Sequence, residues 1–405
     1  MAVSPASTDA VLALNAGSSS LKFALFARAA DGGIAALCKG GIEGIGDAPH
    51  FIARDARGAT LAERRWPDGA AHSHESLLGD LLEWTQDYLG PAALVAVGHR
   101  VVHGGCHFTQ PVRLTEDVLA ALEALTPLAP LHQPHSLAPA RAIMALRPGL
   151  PQVACFDTAF HHTMPAVATR YALPRAYADE GVRRYGFHGL SYEYVARRLR
   201  MIAPRLAAGR VIVAHLGNGA SLCAMDGGRS VDTTMGFTAL DGLVMGTRCG
   251  ALDPGVLLYM LQQRGLSPRD VEQVLYWQSG LLGVSGLSSD MRALIASDDP
   301  RAGEAVELFV YRVARETAAL AGSLGGLDGF VFTAGIGEHA AEIRAAVCER
   351  LRWLGVTLGG ATDPVGRISA PDSRVEVLVV PTDEEATIGR HTVETLDAAQ
   401  HEDIR

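Results

Sequence analysis

Short apolar runs alternate along the chain with stretches whose apolar residues recur every three or four positions. Residues 75–88 (ESLLGDLLEWTQDY) space Leu77, Leu78, Leu81, Leu82 and Trp84 as one face of a helix. Thr115 stands where an N-cap belongs, before EDVLAALEAL. The runs ALVAVGHR, PQVACFD, RVIVAHLGNG, GFVFTAGIGEH and VEVLVVPTDEE read as buried strands that stop abruptly at polar or glycine residues. This alternation predicts an α/β architecture. Ligands of open α/β sheets gather at the carboxyl ends of strands, so the chemistry is sought at those stops, beginning with Arg100 and Asp157.

One pattern occurs twice. ALNAGSSSLKFALF and AHLGNGASLCAMDGG each run from an apolar strand through Asn and Gly in a tight polar turn to Ser, Leu and a second strand. Both predict β-hairpins whose turns use glycine at φ > 0. Backbone N–H groups in such turns suit phosphate oxygens. The chain's two asparagines, Asn15 and Asn218, both fall here, and one of its two lysines, Lys22, follows the first turn. An ordinary hairpin that uses Asn for its geometry is the competing reading. The repeat suggests duplicated domains facing each other.

Composition narrows the class. A length of 405 residues favours two domains, and 48% hydrophobic with 20% charged residues fits a globular core. A formal net charge of −9 with scattered arginines argues against nucleic-acid and anionic-membrane partners. Cys38, Cys106, Cys155, Cys223, Cys249 and Cys348 form no C-x-x-C pair and read as free thiols. With no signal-peptide pattern and no apolar run of spanning length, a cytoplasmic protein is expected. The histidines 99, 103, 107, 132, 135, 161 and 162 raise the question of zinc. Gly104 and Gly105 break the helical spacing of His99, His103 and His107, which disfavours a zinc face. His161 and His162 are expected to pack or hydrogen-bond near Asp157.

The motifs LNAGSSSLKF, GHRVVHGG, LAPLHQPH, FDTAFH, YGFHGLSY, HLGNGAS, MGTRCGALDP, SSDMR, FTAGIGEH and TDEEATIGR occur in this order between about residues 11 and 396. Together they resemble the acetokinase family, within the acetate and sugar kinase, Hsp70 and actin superfamily. The resemblance implies two duplicated actin-like, ribonuclease H-like ATPase domains flanking a cleft. It divides the chain into residues 1–157 plus 385–405 for acyl substrate and phosphate, and 158–384 for nucleotide. The implied reaction interconverts acetate and ATP with acetyl phosphate and ADP, with Mg²⁺ (or Mn²⁺ in its place), in a homodimer.

Residue by residue, the resemblance makes Arg100 a partner of the substrate carboxylate or phosphoryl group and Arg248 a transition-state stabiliser. A lone arginine after a strand would otherwise read as a surface salt bridge. His188 becomes a donor to the phosphoryl group in flight, and Asp157 an essential acid. Asn15 and Glu384 are implied at the metal. Val102, Leu131, His132, Phe187 and Ala239 would surround the acyl group. Lys22 and the turn His215, Leu216, Gly217, Asn218 and Gly219 would meet the phosphates. Asp290, Met291, Arg292, Gly335, Ile336, Gly337, Glu338 and His339 would border the adenosine, with a helix beginning near Glu338.

This sequence departs from the family's pattern at Gln133, Cys249, Ala251, Asp383 and His339, and at Ala239, where proline is common. None removes a principal residue of the site. Asp383 could add negative charge beside the metal, and Ala239 could widen the acyl pocket toward propionate. The alternatives are a propionate or butyrate kinase of the same family and, from another class, a non-metabolic Hsp70- or actin-like ATPase. A sugar kinase is disfavoured, because a hydroxyl acceptor calls for a dedicated carboxylate base.

Overall fold

The computed structural model describes residues 9–17, 19–29, 32–66, 72–360 and 363–402. Ser18, in the first turn motif, lies outside them. The chain divides into two compact units, residues 1–159 with 383–405 and residues 160–382. Thr158, Ala159, Asp383 and Glu384 therefore go with the first unit.

The first unit is built on an eight-stranded sheet of order β5-β4-β3-β2-β1-β6-β8-β7. Its strands are β1 (Ala10–Ala16), β2 (Ser20–Arg28), β3 (Ile34–Glu43), β4 (His50–Asp55), β5 (Thr60–Arg65), β6 (Leu94–Val101), β7 (Val112–Arg113) and β8 (Gln152–Phe156). The second unit's sheet has order β11-β10-β9-β12-β13. Its strands are β9 (Arg210–Leu216), β10 (Ala220–Asp226), β11 (Arg229–Thr233), β12 (Gly329–Thr333) and β13 (Glu376–Val379). In both sheets an antiparallel meander, of five strands in the first and three in the second, passes through its first strand to two parallel strands. The paths β3-β2-β1-β6-β8 and β11-β10-β9-β12-β13 match strand for strand, so the repeated sequence pattern marks equivalent strands of two like sheets.

The apolar runs form strands because they are buried on both faces: β8 and β12 are buried throughout, and β1 is buried except at Asn15. The predicted helix spans His74–Leu89, capped by Ser73, with Leu77, Leu78, Leu81 and Leu82 buried. Thr115 caps as expected, accepting from the Val118 N–H, but its helix ends at Glu123. The closing helix Glu384–Glu402 lies on β1, β6 and β8. It can approach because β6 carries Gly98: a Cβ there would stand 2.1 Å from Thr392 Oγ1 and 2.7 Å from Ile388 Cγ2. No described helix is long and apolar enough to cross a membrane.

The two hairpins form, with Asn15 opposite Lys22 and Leu216 opposite Ala220. Their turns differ from expectation, since Gly17, Gly217, Gly219 and both asparagines keep negative φ. The turns close through hydrogen bonds from Gly17 N–H to Ser20 O (2.8 Å) and from Gly217 N–H to Gly219 O (3.0 Å). Gly219 is needed for closeness instead. A Cβ there would lie 2.7 Å from Arg248 Nη2 and 3.3 Å from His188 Nε2.

Candidate active site

In the first unit, strand ends bring four of the named residues together. Arg100, near the end of β6, donates from Nε to both oxygens of Asp157 (3.1 Å each) and from Nη2 to Oδ2 (2.5 Å). Its Nη1 donates to Asn15 Oδ1 at 3.3 Å, and Asn15 Nδ2 donates to Glu384 Oε2 at 3.1 Å. The result is a chain Asp157–Arg100–Asn15–Glu384. The Asp157 side chain is 1% exposed and that of Arg100 20%, so this is no surface salt bridge. A buried ion pair adds little net stability once desolvation is counted, so its presence at a strand end points to chemistry. Burial pushes the Glu384 carboxyl above the usual range; Arg100 opposes this, Asp157 and Glu385 reinforce it, and Lys22 opposes it weakly. Burial disfavours the Arg100 cation, yet Asp157 and Glu384 more than restore it.

The departures here have local explanations. Asp383 Oδ1 accepts from the Ala386 N–H at 2.9 Å, so Asp383 caps the closing helix, while its other oxygen pairs with Lys39. Its charge is thereby occupied, not left beside Glu384. Gln133 is fully buried and pins the loop before it. Its Oε1 accepts from His103 N–H (3.1 Å), and its Nε2 donates to the carbonyls of His103 (3.0 Å) and Leu122 (3.1 Å). Val102 is buried, and Leu131 and His132 are half-buried at the start of the helix Gln133–Leu146. His99 hydrogen-bonds Gln152 (2.7 Å), and His103 Nδ1 accepts from the Gly105 N–H (2.9 Å). No group of three or more His, Cys, Asp or Glu placed to hold a metal occurs among the described residues.

In the second unit a different set converges. His188 caps the helix Gly189–Ile202 with φ 58 and ψ 23, the left-handed region that costs a β-carbon-bearing residue about 1–2 kcal/mol. Its ring stacks on His215, centroids 4.1 Å apart. Arg248 lies against Gly219 and donates from Nη1 to Ala239 O at 2.6 Å, so the alanine that replaces the usual proline helps aim the guanidinium through its carbonyl. Phe187 is buried just before His188. His161 bridges Ser230 Oγ (2.8 Å) and Phe187 O (2.9 Å), holding the segment that carries His188. Burial drops its pKa to about 4.

A cavity of about 590 Å³ is lined by Gly217, Asn218, Asp290, Met291, Arg292, Gly335, Ile336 and His339 among others. Most of the expected adenosine-side residues thus share one hollow. Gly337 is buried below it, and Glu338 is turned inward, accepting from the N–H groups of Ala334 (2.9 Å) and Thr382 (3.2 Å). The helix there begins at Ala334, four residues before the expected start, on a left-handed Ala334 (φ 63). Leu216 is buried within β9. Sequence reasoning missed Ser221 and Tyr192, which stand behind His188 with Ser221 Oγ 2.8 Å from its Nδ1. Their signal was present, since both belong to motifs already singled out, HLGNGAS and YGFHGLSY.

Known proteins match this arrangement over nearly its whole length. The acetate kinase of Rhodopseudomonas palustris is 55% identical over 399 residues, 97% of this chain and all of that one. A propionate kinase structure from Francisella tularensis aligns with TM-score 0.86 and 37% identity over 95% of this chain and 98% of its own. The acetate kinase structure from Porphyromonas gingivalis gives TM-score 0.83 and 38% identity over 96% and 100%. The model of the acetokinase family matches residues 10–390. Two like sheets, polar strand ends and this continuous match make the chain a member of the acetokinase family.

Proposed function

We propose that this chain transfers the γ-phosphoryl group of ATP reversibly to acetate, giving acetyl phosphate and ADP. The observation that carries this reading is the largely buried chain Asp157–Arg100–Asn15–Glu384, formed where strands of the first sheet end and the closing helix begins. A carboxylate acceptor needs no base, so the task is to position two anions and stabilise the charge on the moving group. Arg100 pairs with the acyl substrate, its guanidinium held in plane by Asp157. His188 and Arg248 donate hydrogen bonds to the phosphoryl oxygens. Gly217, Asn218 and Gly219 offer backbone to the phosphates, and the hollow lined by Asp290–Arg292 and Gly335–His339 receives the nucleoside. Residues 160–382 are thus the nucleotide unit and residues 1–159 with 383–405 the acyl unit. Val102, Leu131, Phe187 and Ala239 take the acetate methyl, and His132 belongs to the same substrate site.

The donor set fits a hard divalent cation. Two carboxylates, one amide oxygen and a single guanidinium leave negative charge in excess, and Glu384 is held above its usual range chiefly by burial, with Asp157 adding to it. Asn15 and Glu384 would hold Mg²⁺, with Mn²⁺ able to replace it, and the bound ion would neutralise phosphate oxygens. A hydroxamate assay with formate, acetate, propionate and butyrate, with and without Mg²⁺, tests the reading. Acetyl hydroxamate formed only with ATP and Mg²⁺ is expected; no acyl hydroxamate from any of the four acids would overturn it.

We also place this enzyme in the cytoplasm as a homodimer. The helix Pro254–Gln262 (PGVLLYMLQ) has no buried residue, although its sequence is apolar. Leu258 is 54% and Tyr259 53% exposed, and Leu252, Leu261 and Trp277 are exposed nearby in sequence. A second copy covering this face accounts for its composition.

A further inference from the structure

The side chains behind His188 form a chain whose protons can be counted. His188 Nδ1 lies 2.8 Å from Ser221 Oγ, and Ser221 Oγ lies 2.5 Å from the Tyr192 hydroxyl. Ser221 and Tyr192 are both 0% exposed. Among the described residues neither hydroxyl has another hydrogen-bond partner. A buried donor left without an acceptor costs about 1–3 kcal/mol.

One arrangement uses every proton: Tyr192 donates to Ser221, and Ser221 donates to Nδ1. Nδ1 is then the bare acceptor nitrogen and the ring proton sits on Nε2. With a proton on Nδ1 the count fails. Ser221 would then give its own proton to Tyr192 and strand the phenolic one, or accept twice and strand its own. Nε2 faces the phosphate turn, since a Cβ on Gly219 would stand 3.3 Å from it. His215 offers a contrast. Its Nδ1 meets Ser191 Oγ at 2.8 Å, and Ser191 meets Thr382 at 2.9 Å. Thr382 is only half-buried, so water can take its proton and that count stays open.

We infer that Ser221, its hydroxyl held by Tyr192, is a positioning residue that fixes His188 in the tautomer protonated at Nε2. Resting on the proposed reaction, the consequence is a preformed N–H donor for a phosphoryl oxygen, with no proton transfer in the step.

The test is ¹⁵N NMR of histidine-labelled protein without substrate, with the His188 signal identified by its loss in His188→Gln. The wild type should show a bare Nδ1 and a protonated Nε2. Ser221→Ala removes the hydroxyl that gives its proton to Nδ1; it should raise the Nδ1–H population several-fold and lower kcat about tenfold, with the KM for ATP unchanged. Should that variant fail to fold, Ser221→Gly is read the same way. A wild-type proton on Nδ1, an unchanged spectrum in the variant, or a changed spectrum with unchanged kcat overturns the inference. The spectrum is recorded without turnover, so a wild type that makes no acyl phosphate would sink the reaction and leave the tautomer standing.

Discussion

At the residue scale, the site depends on a few charges held by named partners. Arg248 lies against Gly219 and donates to Ala239 O, and Arg248→Ala should lower kcat at least a hundredfold while the nucleotide Kd, measured by calorimetry, stays within about threefold. Turnover near wild type would remove it from the mechanism. Glu384→Gln keeps the shape and removes the charge, and the Mg²⁺ concentration for half-maximal activity should rise at least tenfold. An unchanged Mg²⁺ requirement would take Glu384 away from the ion. Protonation also bears on folding. Burial lowers His99, His103 and His161 to about 4 from an unfolded value of 6.5. The unfolded chain therefore binds protons first, and the stability present above about pH 6.5 is lost as the pH falls toward 4. Each histidine should account for roughly 2 kcal/mol of that loss by pH 5. The slope of unfolding free energy against pH near 5.5 should correspond to uptake of two to three protons from these groups; a slope near zero would mean that they are charged in the folded protein.

At the element scale, the packing of β6 against the closing helix sets where Arg100 sits. Gly98→Ala puts a methyl group inside contact distance of Thr392 and Ile388, and should lower the unfolding free energy by about 1–3 kcal/mol. A loss below about 0.5 kcal/mol in denaturant titration would show that the helix gives way freely. Much of this level was legible in the sequence. Apolar runs buried on both faces gave the strands, and helical spacing with a capping threonine gave the helices. The candidate residues stood out because strands ended on Arg100 and Asp157 or ran straight into conspicuous turns. The remainder depends on long-range fit. Nothing local distinguishes a turn glycine needed for φ > 0 from one needed for closeness, as at Gly219, where the neighbours are Arg248 and His188. The partners of His161 were hidden for the same reason, since Ser230 and Phe187 are brought to it only by folding. The start of the helix at Ala334 was hidden because a left-handed alanine carries no sequence signature.

At the scale of the whole molecule, the exposed apolar helix Pro254–Gln262 makes the assembly testable. Tyr259→Asp should convert the proposed dimer to monomers at micromolar concentration by sedimentation, and a dimer that persists would move the interface elsewhere. The acyl pocket is tested by comparing kcat/KM for acetate and propionate, because one methylene is worth only about 1–3 kcal/mol. A preference for acetate above a thousandfold would exclude a pocket widened at Ala239. The helix Glu384–Glu402 has one more implication. It belongs to the first unit but follows the whole of the second along the chain. On the ribosome, residues 160–382 can therefore fold while β1, β6 and β8 still lack the helix that covers them. Glu384 is among the last of the named site residues to emerge, so a nascent chain can acquire the hollow lined by Asp290–Arg292 and Gly335 well before its acidic cluster closes.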